Sequence, residues 1–140
     1  MTFERRAQGL RAQGRMAQGR TTPQRREADQ RGREGEAEAA MWLTQHGWRI
    51  VAERVKTKAG EIDLIARRPG LVAFVEVKWR ARSAALADAI DERRLTRVAK
   101  AAEIVAHEYA TGGEDIRIDV ILLAPGRKPT HIENAWMPFG

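Results

Sequence analysis

Apolar residues along the chain are grouped in two ways, as runs of strand length and as positions spaced like one face of a helix. The strand-length runs fall in residues 48–55, in both halves of GEIDLIARRPGLVAFVEVKWR (60–80), in 116–124 and in 130–136. Helical spacing falls in residues 34–46 and 84–110, and these segments end at Gly47 and at Thr111-Gly112-Gly113. The predicted order is αβββαββ, an α/β fold in which helices flank a central mixed sheet.

The two helical segments also indicate which side chains contribute apolar surface. In 84–110, six apolar residues are spaced so that they face the core of the protein. They are Leu86, Ile90, Val98, Ala101, Ala102 and Val105. The corresponding residues of 34–46 are Ala39, Met41, Trp42 and Leu43.

The basic charge is confined to the N-terminal end of the chain. Residues 1–33 contain nine arginines against three acidic residues, so this segment carries the whole net charge of +6. Its repeated Ala-Gln-Gly units contain few apolar residues, which predicts a disordered arm over residues 1–31 and one domain over 32–140. Two interpretations of the arm stay open: a solvated tail, or a segment that follows nucleic-acid phosphates.

Residue types that the chain lacks exclude several kinds of site. The sequence has no cysteine, which rules out disulfides, thiolate zinc sites and cysteine nucleophiles. No apolar run reaches the roughly 18 residues that a membrane span requires. We therefore expect a cytoplasmic protein without a membrane partner.

Charged residues interrupt two predicted strands, at Asp63 in the first half of 60–80 and at Glu76 and Lys78 in the second. Side chains alternate across a strand, so Glu76 and Lys78 share one face. If Pro69-Gly70 forms the turn, Asp63 stands opposite Glu76 and Glu61 stands opposite Lys78.

Opposed carboxylates on a hairpin have Cβ atoms roughly 4.5–5.5 Å apart and repel each other. A divalent cation would compensate this repulsion, because Mg²⁺ binds carboxylates, water and a neighbouring backbone carbonyl such as that of Val77. Lys78 would then orient or help to deprotonate a metal-bound water. The alternative is a simple ion pair between Glu61 and Lys78, with Asp63 and Glu76 on a solvated face.

The combination of GEIDLIA (60–66) with FVEVKWR (74–80) resembles the YraN-like family of bacterial proteins. That family is part of the PD-(D/E)xK nuclease superfamily and is related to archaeal Holliday-junction resolvases. The similarity extends from about Gly32 to Trp136 and includes GREGEAEAAMWL, AIDERRLTRVAKAAEIV, IRIDVIL and HIENAW. It implies a restriction-endonuclease-like fold and a metal-dependent endonuclease that hydrolyses phosphodiester bonds in DNA, with branched or otherwise structured DNA as a candidate substrate.

By position, the resemblance implies that Asp63, Glu76 and Glu36 complete a metal site and that Lys78 is the catalytic lysine. The implied cofactor is Mg²⁺, with Mn²⁺ as a substitute, and no small-molecule cofactor is expected. The sequence departs from the family pattern in three places. The Asn-x-Arg that commonly precedes GEID is Arg54-Val55-Lys56, the lysine of the second helix is Arg94, and the residues before Gly32 have no counterpart.

The expected partner is DNA, and a homodimer is a further expectation because related resolvases act on two-fold symmetric junctions. Candidate phosphate contacts, each of which is alternatively part of a solvated face, are Arg80, Arg82, Arg94, Arg97 and Lys100. The rival function is a nucleic-acid-binding or scaffold protein that keeps the fold without cleaving. Intact Asp63, Glu76 and Lys78 argue against it, since paired carboxylates repel DNA.

Overall fold

A computed structural model of the chain describes residues 22–81 and 90–136. Internal contacts divide the chain into two units, residues 1–31 and 32–140, and the sheet and the candidate site lie in the second. The helices are α1 (Pro23–Gln45) and α2 (Glu92–Tyr109). The strands are β1 (Arg49–Thr57), β2 (Gly60–Arg68), β3 (Leu71–Trp79), β4 (Asp115–Leu123) and β5 (Thr130–Ile132).

The strands form one five-stranded sheet in the order β1-β2-β3-β4-β5. Neighbours are antiparallel except β3 and β4, which are parallel. A parallel neighbour requires a crossover, and α2 lies in that connection. The predicted αβββαββ order and mixed sheet are therefore confirmed, and the architecture is consistent with a restriction-endonuclease-like fold.

The central hairpin joins β2 and β3 through Pro69-Gly70, as predicted. Gly70 has φ of +78°, a left-handed conformation that glycine supplies at this turn position without a steric penalty. The pairing runs from Arg68 with Leu71 to Leu64 with Val75, which is the predicted register. Because a slip by one residue would exchange the two faces of both strands, this register fixes which side chains meet on either side of the sheet.

Each face of the sheet carries its own apolar core. On one face α2 contributes Leu95, Val98 and Ala102, which pack with Phe74 and Val120 of the strands. On the other face, Ala39 and Leu43 of α1 pack with strand residues. Those strand residues are Leu64, Ala66, Ala73, Val75, Ile121 and Leu123. The four predicted core residues from Val98 to Val105 are all buried.

Both helices begin at residues other than the predicted ones. Helix α1 begins at Pro23 rather than near residue 34, because Thr22 Oγ1 accepts a hydrogen bond of 3.0 Å from the Arg25 N–H and Pro23 has the fixed φ of a first helical residue. The N-terminal arm, predicted to be disordered or at best transiently helical, is thus helical from Pro23 to Arg31, and residues 1–21 lie outside the described residues.

Helix α2 begins at Glu92 because Asp91, with φ of −112° and ψ of 102°, is its N-cap and accepts from the Arg94 N–H. The predicted start near residue 84 is thus wrong for Ile90 and Asp91. Ile90 is half-buried against the core although it precedes the helix. Leu86 and Arg82 lie outside the described residues.

Strand β5 is shorter than predicted because the chain turns at Glu133 and Asn134, around the buried carboxylate of Asp119. Arg117 donates to both Asp119 oxygens at 2.9 Å, the Asn134 N–H donates at 2.9 Å, and His131 Nε2 lies 2.8 Å from Oδ2. Burial alone would raise the pKa of Asp119, but the bonds from His131, Arg117 and Asn134 together lower it. This network fastens the C-terminal segment to β4.

We expect Asp119→Asn to lower the free energy of unfolding by roughly 2–4 kcal/mol at pH 7, because the largely buried Arg117 loses its close counter-charge and is left with the more distant Glu133 at 3.8 Å. Since the folded-state pKa of Asp119 is lowered, this stability is present above its unfolded pKa and is lost as the pH falls through the folded value. Urea unfolding across pH tests both points. Asp115→Asn, an exposed change on the same strand, is the control, and equal stability of the two variants would contradict the prediction.

Candidate functional site

The candidate site lies where β2 and β3 stop pairing. Their ladder ends at Leu64 with Val75, but β2 continues beside β1 to Gly60 and β3 continues beside β4 to Trp79. The two central strands are thus held by their outer neighbours beyond the point at which they bond to each other. The residues next to this point are Asp63 on β2 and Glu76 on β3.

The carboxylate of Asp63 takes the place of a ladder contact. Its Oδ2 accepts a hydrogen bond of 2.8 Å from the Val77 N–H, a donor that a continued ladder would direct to the backbone of β2. Asp63 is only 8% exposed. The predicted register is therefore right, but the expected opposed pairs of Asp63 with Glu76 and of Glu61 with Lys78 lie beyond the end of the ladder.

Glu76 is the most deeply buried carboxylate of the site, at 2% exposed. Its Oε2 accepts a hydrogen bond of 2.6 Å from Nε of Arg94, in the first turn of α2. The expectation that Arg94 contacts DNA phosphates is untested, and in this structure its guanidinium faces Glu76. A buried carboxylate needs such a partner, since an uncompensated charge in the interior is costly.

Lys78 is 9% exposed and follows Glu76 on the same face of β3. The Arg94 N–H lowers the pKa of the Asp91 carboxyl, and the charge of Lys78 lowers it further. The ammonium of Lys78 therefore lies near the N-terminus of α2. The structure brings Lys78, Glu76 and Arg94 to one end of the sheet.

The pKa of Asp63 is raised from 3.8 to about 7. Burial is the main cause, the negative charge of Glu76 raises it further, and the Val77 N–H opposes both. Glu36 and Glu61 also raise this pKa, so four carboxylates influence one another at this end of the sheet. Perturbed groups of this kind are concentrated at functional sites.

Glu36, on α1, is 13% exposed at its side chain and is paired with Arg54 of β1. Arg54 Nε donates to Glu36 Oε1 at 2.7 Å. Within residues 22–81 and 90–136, no group of three or more His, Cys, Asp or Glu side chains is close enough to hold a metal ion together. The charge of Glu36 thus acts on Asp63, but the side chain of Glu36 is paired with Arg54.

The donor set at the strand separation nevertheless fits Mg²⁺. Mg²⁺ sites in enzymes commonly use one or two carboxylates, several waters and substrate phosphates rather than a full cage of protein ligands. Asp63 and Glu76 are two such carboxylates, and the Val77 carbonyl follows Glu76 in sequence, while the Val77 N–H donates to Asp63. Added positive charge would offset the negative charge of Glu76, which together with burial raises the pKa of Asp63.

The remaining candidate DNA contacts are more scattered. Arg80 follows β3, where its N–H donates to the Leu123 carbonyl and its guanidinium donates to the Trp79 carbonyl at 3.2 Å. Arg97 and Lys100 are exposed on α2. Arg82 lies outside the described residues, so its predicted role has no structural counterpart here.

One residue of this region was not among the predicted site residues. Arg54 has φ of +52° inside β1, a conformation that non-glycine residues seldom adopt and that asparagine tolerates better than most. The sequence did contain a signal, because Arg54 stands where the family pattern commonly has asparagine.

Comparison with known proteins places the chain in a family. Residues 35–123 match the model of Uncharacterised protein family UPF0102. The UPF0102 protein of Erythrobacter litoralis is 65% identical over 111 residues, which cover 79% of this chain and 96% of that protein. That of Rhizorhabdus wittichii is 58% identical over 109 residues, which cover 78% and 92%. The chain belongs to family UPF0102.

Membership in UPF0102, the YraN family, confirms the predicted family resemblance. A more distant UPF0102 protein, from Maricaulis maris, is 42% identical over 118 residues, which cover 84% of this chain and 93% of that protein. The matched region from 35 to 123 contains Glu36, Asp63, Glu76 and Lys78. In the described part of the chain, no helix combines the length and apolar character that crossing a membrane requires.

The pKa of Asp63 predicts how stability depends on pH without divalent cations. A raised folded-state pKa means that the protonated carboxyl favours folding below the unfolded value near 3.8, and that this contribution is lost as pH rises through about 7. We expect wild type to lose stability from pH 5 to 8, by an amount on the order of 3 kcal/mol. Asp63→Asn should lose much less, because an amide does not titrate in this range, and its oxygen can still accept from the Val77 N–H.

Thermal unfolding in chelator at several pH values measures this difference. Glu53→Gln, which removes an exposed carboxylate from the neighbouring strand β1, is the matched control and should keep the wild-type pH profile. Parallel profiles for wild type and Asp63→Asn would show that Asp63 is ionised at an ordinary pKa and would contradict the prediction.

Proposed function

We propose that this UPF0102 protein is a Mg²⁺-dependent endonuclease that hydrolyses phosphodiester bonds in DNA, with branched or otherwise structured DNA as its substrate class. The observation that carries the proposal is the burial of Asp63 beside Glu76 where two central strands separate, at the cost of a pKa raised to about 7. A sheet that only had to fold would gain stability from apolar residues at both positions. The cost therefore points to a functional role.

In the proposed site, Asp63 and Glu76 hold the cation, with the Val77 carbonyl as the adjacent backbone ligand. When bound, Mg²⁺ supplies positive charge that polarises a phosphate and makes a water more acidic. Asp63 is oriented by the Val77 N–H, so its free oxygen has a defined direction. Glu76 is fixed from the opposite side by Arg94.

Lys78 has the role of orienting the attacking water and of stabilising negative charge on the phosphate oxygens. Its burial limits the water around the ammonium, which strengthens its interaction with an anion. Its place two residues after Glu76 puts both side chains on one face of β3. The N-terminus of α2 adds the positive end of a helix dipole to the same region.

Exposed basic residues on α2, Arg97 and Lys100, are proposed to contact DNA phosphates beyond the reacting one, together with Arg80 after β3. Such contacts carry no sequence information and make binding sensitive to salt. The proposal includes a homodimer, because two copies of the chain would match the two-fold symmetry of a DNA junction. Sedimentation at assay concentrations tests it, and a strictly monomeric protein would count against it.

The primary test is cleavage of labelled linear, single-stranded, flapped and four-way-junction DNA in Mg²⁺ or Mn²⁺. We expect wild type to cut at least one of these, and Asp63→Asn and Lys78→Ala each to lose about 100-fold or more in rate, because each removes a group that acts on the reacting phosphate. Arg49→Gln, at the far end of β1, removes a charge away from the site and should retain activity.

The outcomes separate the proposed nuclease from its rival. Loss of cleavage in both site variants, with their folding intact, supports the mechanism. Binding of DNA by wild type without cleavage of any substrate would favour the non-cleaving binding or scaffold role. Equal cleavage by Lys78→Ala and wild type would remove Lys78 from the mechanism.

Metal binding can be tested without any substrate. At pH 8, Mg²⁺ at roughly 100 times its Kd should stabilise wild type by about 2.7 kcal/mol, seen as a rise of several degrees in Tm. Asp63→Asn and Glu76→Gln should lose most of that rise, since each removes a proposed ligand. Glu53→Gln, an exposed carboxylate of β1, should keep it, and an equal rise in all four proteins would show that Mg²⁺ binds elsewhere.

A further inference from the structure

Arg54 has an unusual backbone conformation for a residue inside a strand. Its φ is +52°, and among the described residues the other non-glycine residue with positive φ is Asn134, which lies in a turn. The pairing of β1 with β2 includes Glu53 with Leu64 and Val55 with Ile62, but Arg54 falls between these pairs. A left-handed residue in a strand re-aims its side chain, and such strain tends to occur at functional sites.

The re-aimed side chain meets the acidic end of the sheet. Arg54 Nε donates to Glu36 Oε1, and the pKa of Arg54 is raised, chiefly by this bond and further by the charges of Glu36, Glu61 and Asp63. In the register of β1 with β2, Arg54 falls opposite Asp63, one of the two carboxylates at the strand separation.

The ion pair is asymmetric in its exposure. The side chain of Arg54 is 41% exposed, whereas that of Glu36 is 13% exposed. The bond from Nε uses one of the five N–H groups of a guanidinium. Arginine binds planar carboxylates and phosphates with the same fork of donors, so a phosphate reaching this end of the sheet would meet a group already suited to it.

We propose that Arg54 is a phosphate-binding residue, and that Glu36 holds its guanidinium in the free protein until a phosphate of a nucleic-acid backbone takes the place of the carboxylate. The exchange is feasible because the Arg54 side of the pair is 41% exposed, so an anion from solution can reach the guanidinium and compete with Glu36. This inference rests on the proposed function in one respect, namely that the phosphate belongs to a nucleic-acid strand lying across the Asp63 and Glu76 site.

The exchange also has a consequence for Glu36. Once Arg54 binds a phosphate, Glu36 loses its partner while it remains close enough to Asp63 to influence its charge. The carboxylate of Glu36 is then available beside the point where β2 and β3 separate, but only when a nucleic-acid strand is bound. Arg54 would thus link the arrival of the substrate to the completion of the acidic site.

A double-mutant cycle in chelator tests the exchange, because DNA cannot be cleaved by a metal-dependent mechanism there. The proteins are wild type, Glu36→Gln, Arg54→Asn and the double variant, and the probe is a fluorescently labelled four-way junction, with a linear duplex in parallel. Anisotropy at several salt concentrations gives affinity and salt dependence. Asparagine tolerates the left-handed φ, so Arg54→Asn removes the guanidinium while keeping the backbone conformation accessible.

We expect Glu36→Gln to bind DNA several-fold more tightly because it releases Arg54. Arg54→Asn should bind several-fold more weakly and lower the salt slope by about one. The double variant should match Arg54→Asn, since the gain from Glu36→Gln acts through Arg54. Arg49→Asn removes the same charge from the other end of β1 and should change affinity little. If Arg54→Asn does not fold, Arg54→Gly, which also accepts positive φ, replaces it.

The results distinguish this inference from the proposed nuclease. If Glu36→Gln tightens binding equally with and without Arg54, it acts by removing a negative charge, and the inference is overturned. It is likewise overturned if Arg49→Asn weakens binding as much as Arg54→Asn. If the cycle shows the expected coupling but wild type cleaves nothing in Mg²⁺, Arg54 remains a phosphate-binding residue and the nuclease proposal fails.

Discussion

The burial of the Asp63 carboxylate beside that of Glu76 is the constraint on which the rest of this site depends. Loss of water around Asp63 is the main cause of its raised pKa, and the poorly screened charge of Glu76 raises that pKa further. The surrounding residues are arranged to limit this cost: the Val77 N–H binds Asp63 and the Arg94 guanidinium binds Glu76. Each compensation comes from a different element of the fold.

The sheet topology explains why these compensating groups converge. Strand β3 is parallel to β4, and the connection between them contains α2, so the chain must return along the sheet before β4 begins. The N-terminus of α2 is consequently near the end of β3 that carries Glu76 and Lys78, which agrees with the effect of Lys78 on Asp91. One crossover thus supplies Arg94, a helix N-terminus and the parallel partner that keeps β3 in place after β2 has separated from it.

The sequence predicted the parts of the fold that local chemistry determines. The Pro69-Gly70 turn set the hairpin register, and periodicity identified the buried residues of α2. It failed where one capping residue outweighs composition, as at Thr22 and Asp91. For the site, the residue types and the alternation of side chains along β3 placed Glu76 and Lys78 on one face. The end of the ladder at Leu64 could not be predicted in this way, because it depends on the direction of a single carboxylate. Alternation alone cannot show that Asp63 binds the Val77 N–H.

The charges of the site also constrain the order of events in the proposed mechanism. Three carboxylates, Asp63, Glu76 and Glu36, are matched by three cations, Arg54, Arg94 and Lys78, so this set is close to neutral when every member is ionised. With Glu61, the fourth carboxylate of this end of the sheet, the set carries one net negative charge, so a divalent cation arriving alone would leave one net positive charge and compete with Arg94 for Glu76. A phosphodiester arriving with it brings negative charge and a new partner for an arginine. The cation should therefore bind the protein–nucleic acid complex more tightly than the free protein, and the nucleic acid should bind the cation-loaded protein more tightly in turn. Arg54 and Glu36 are placed to provide this coupling.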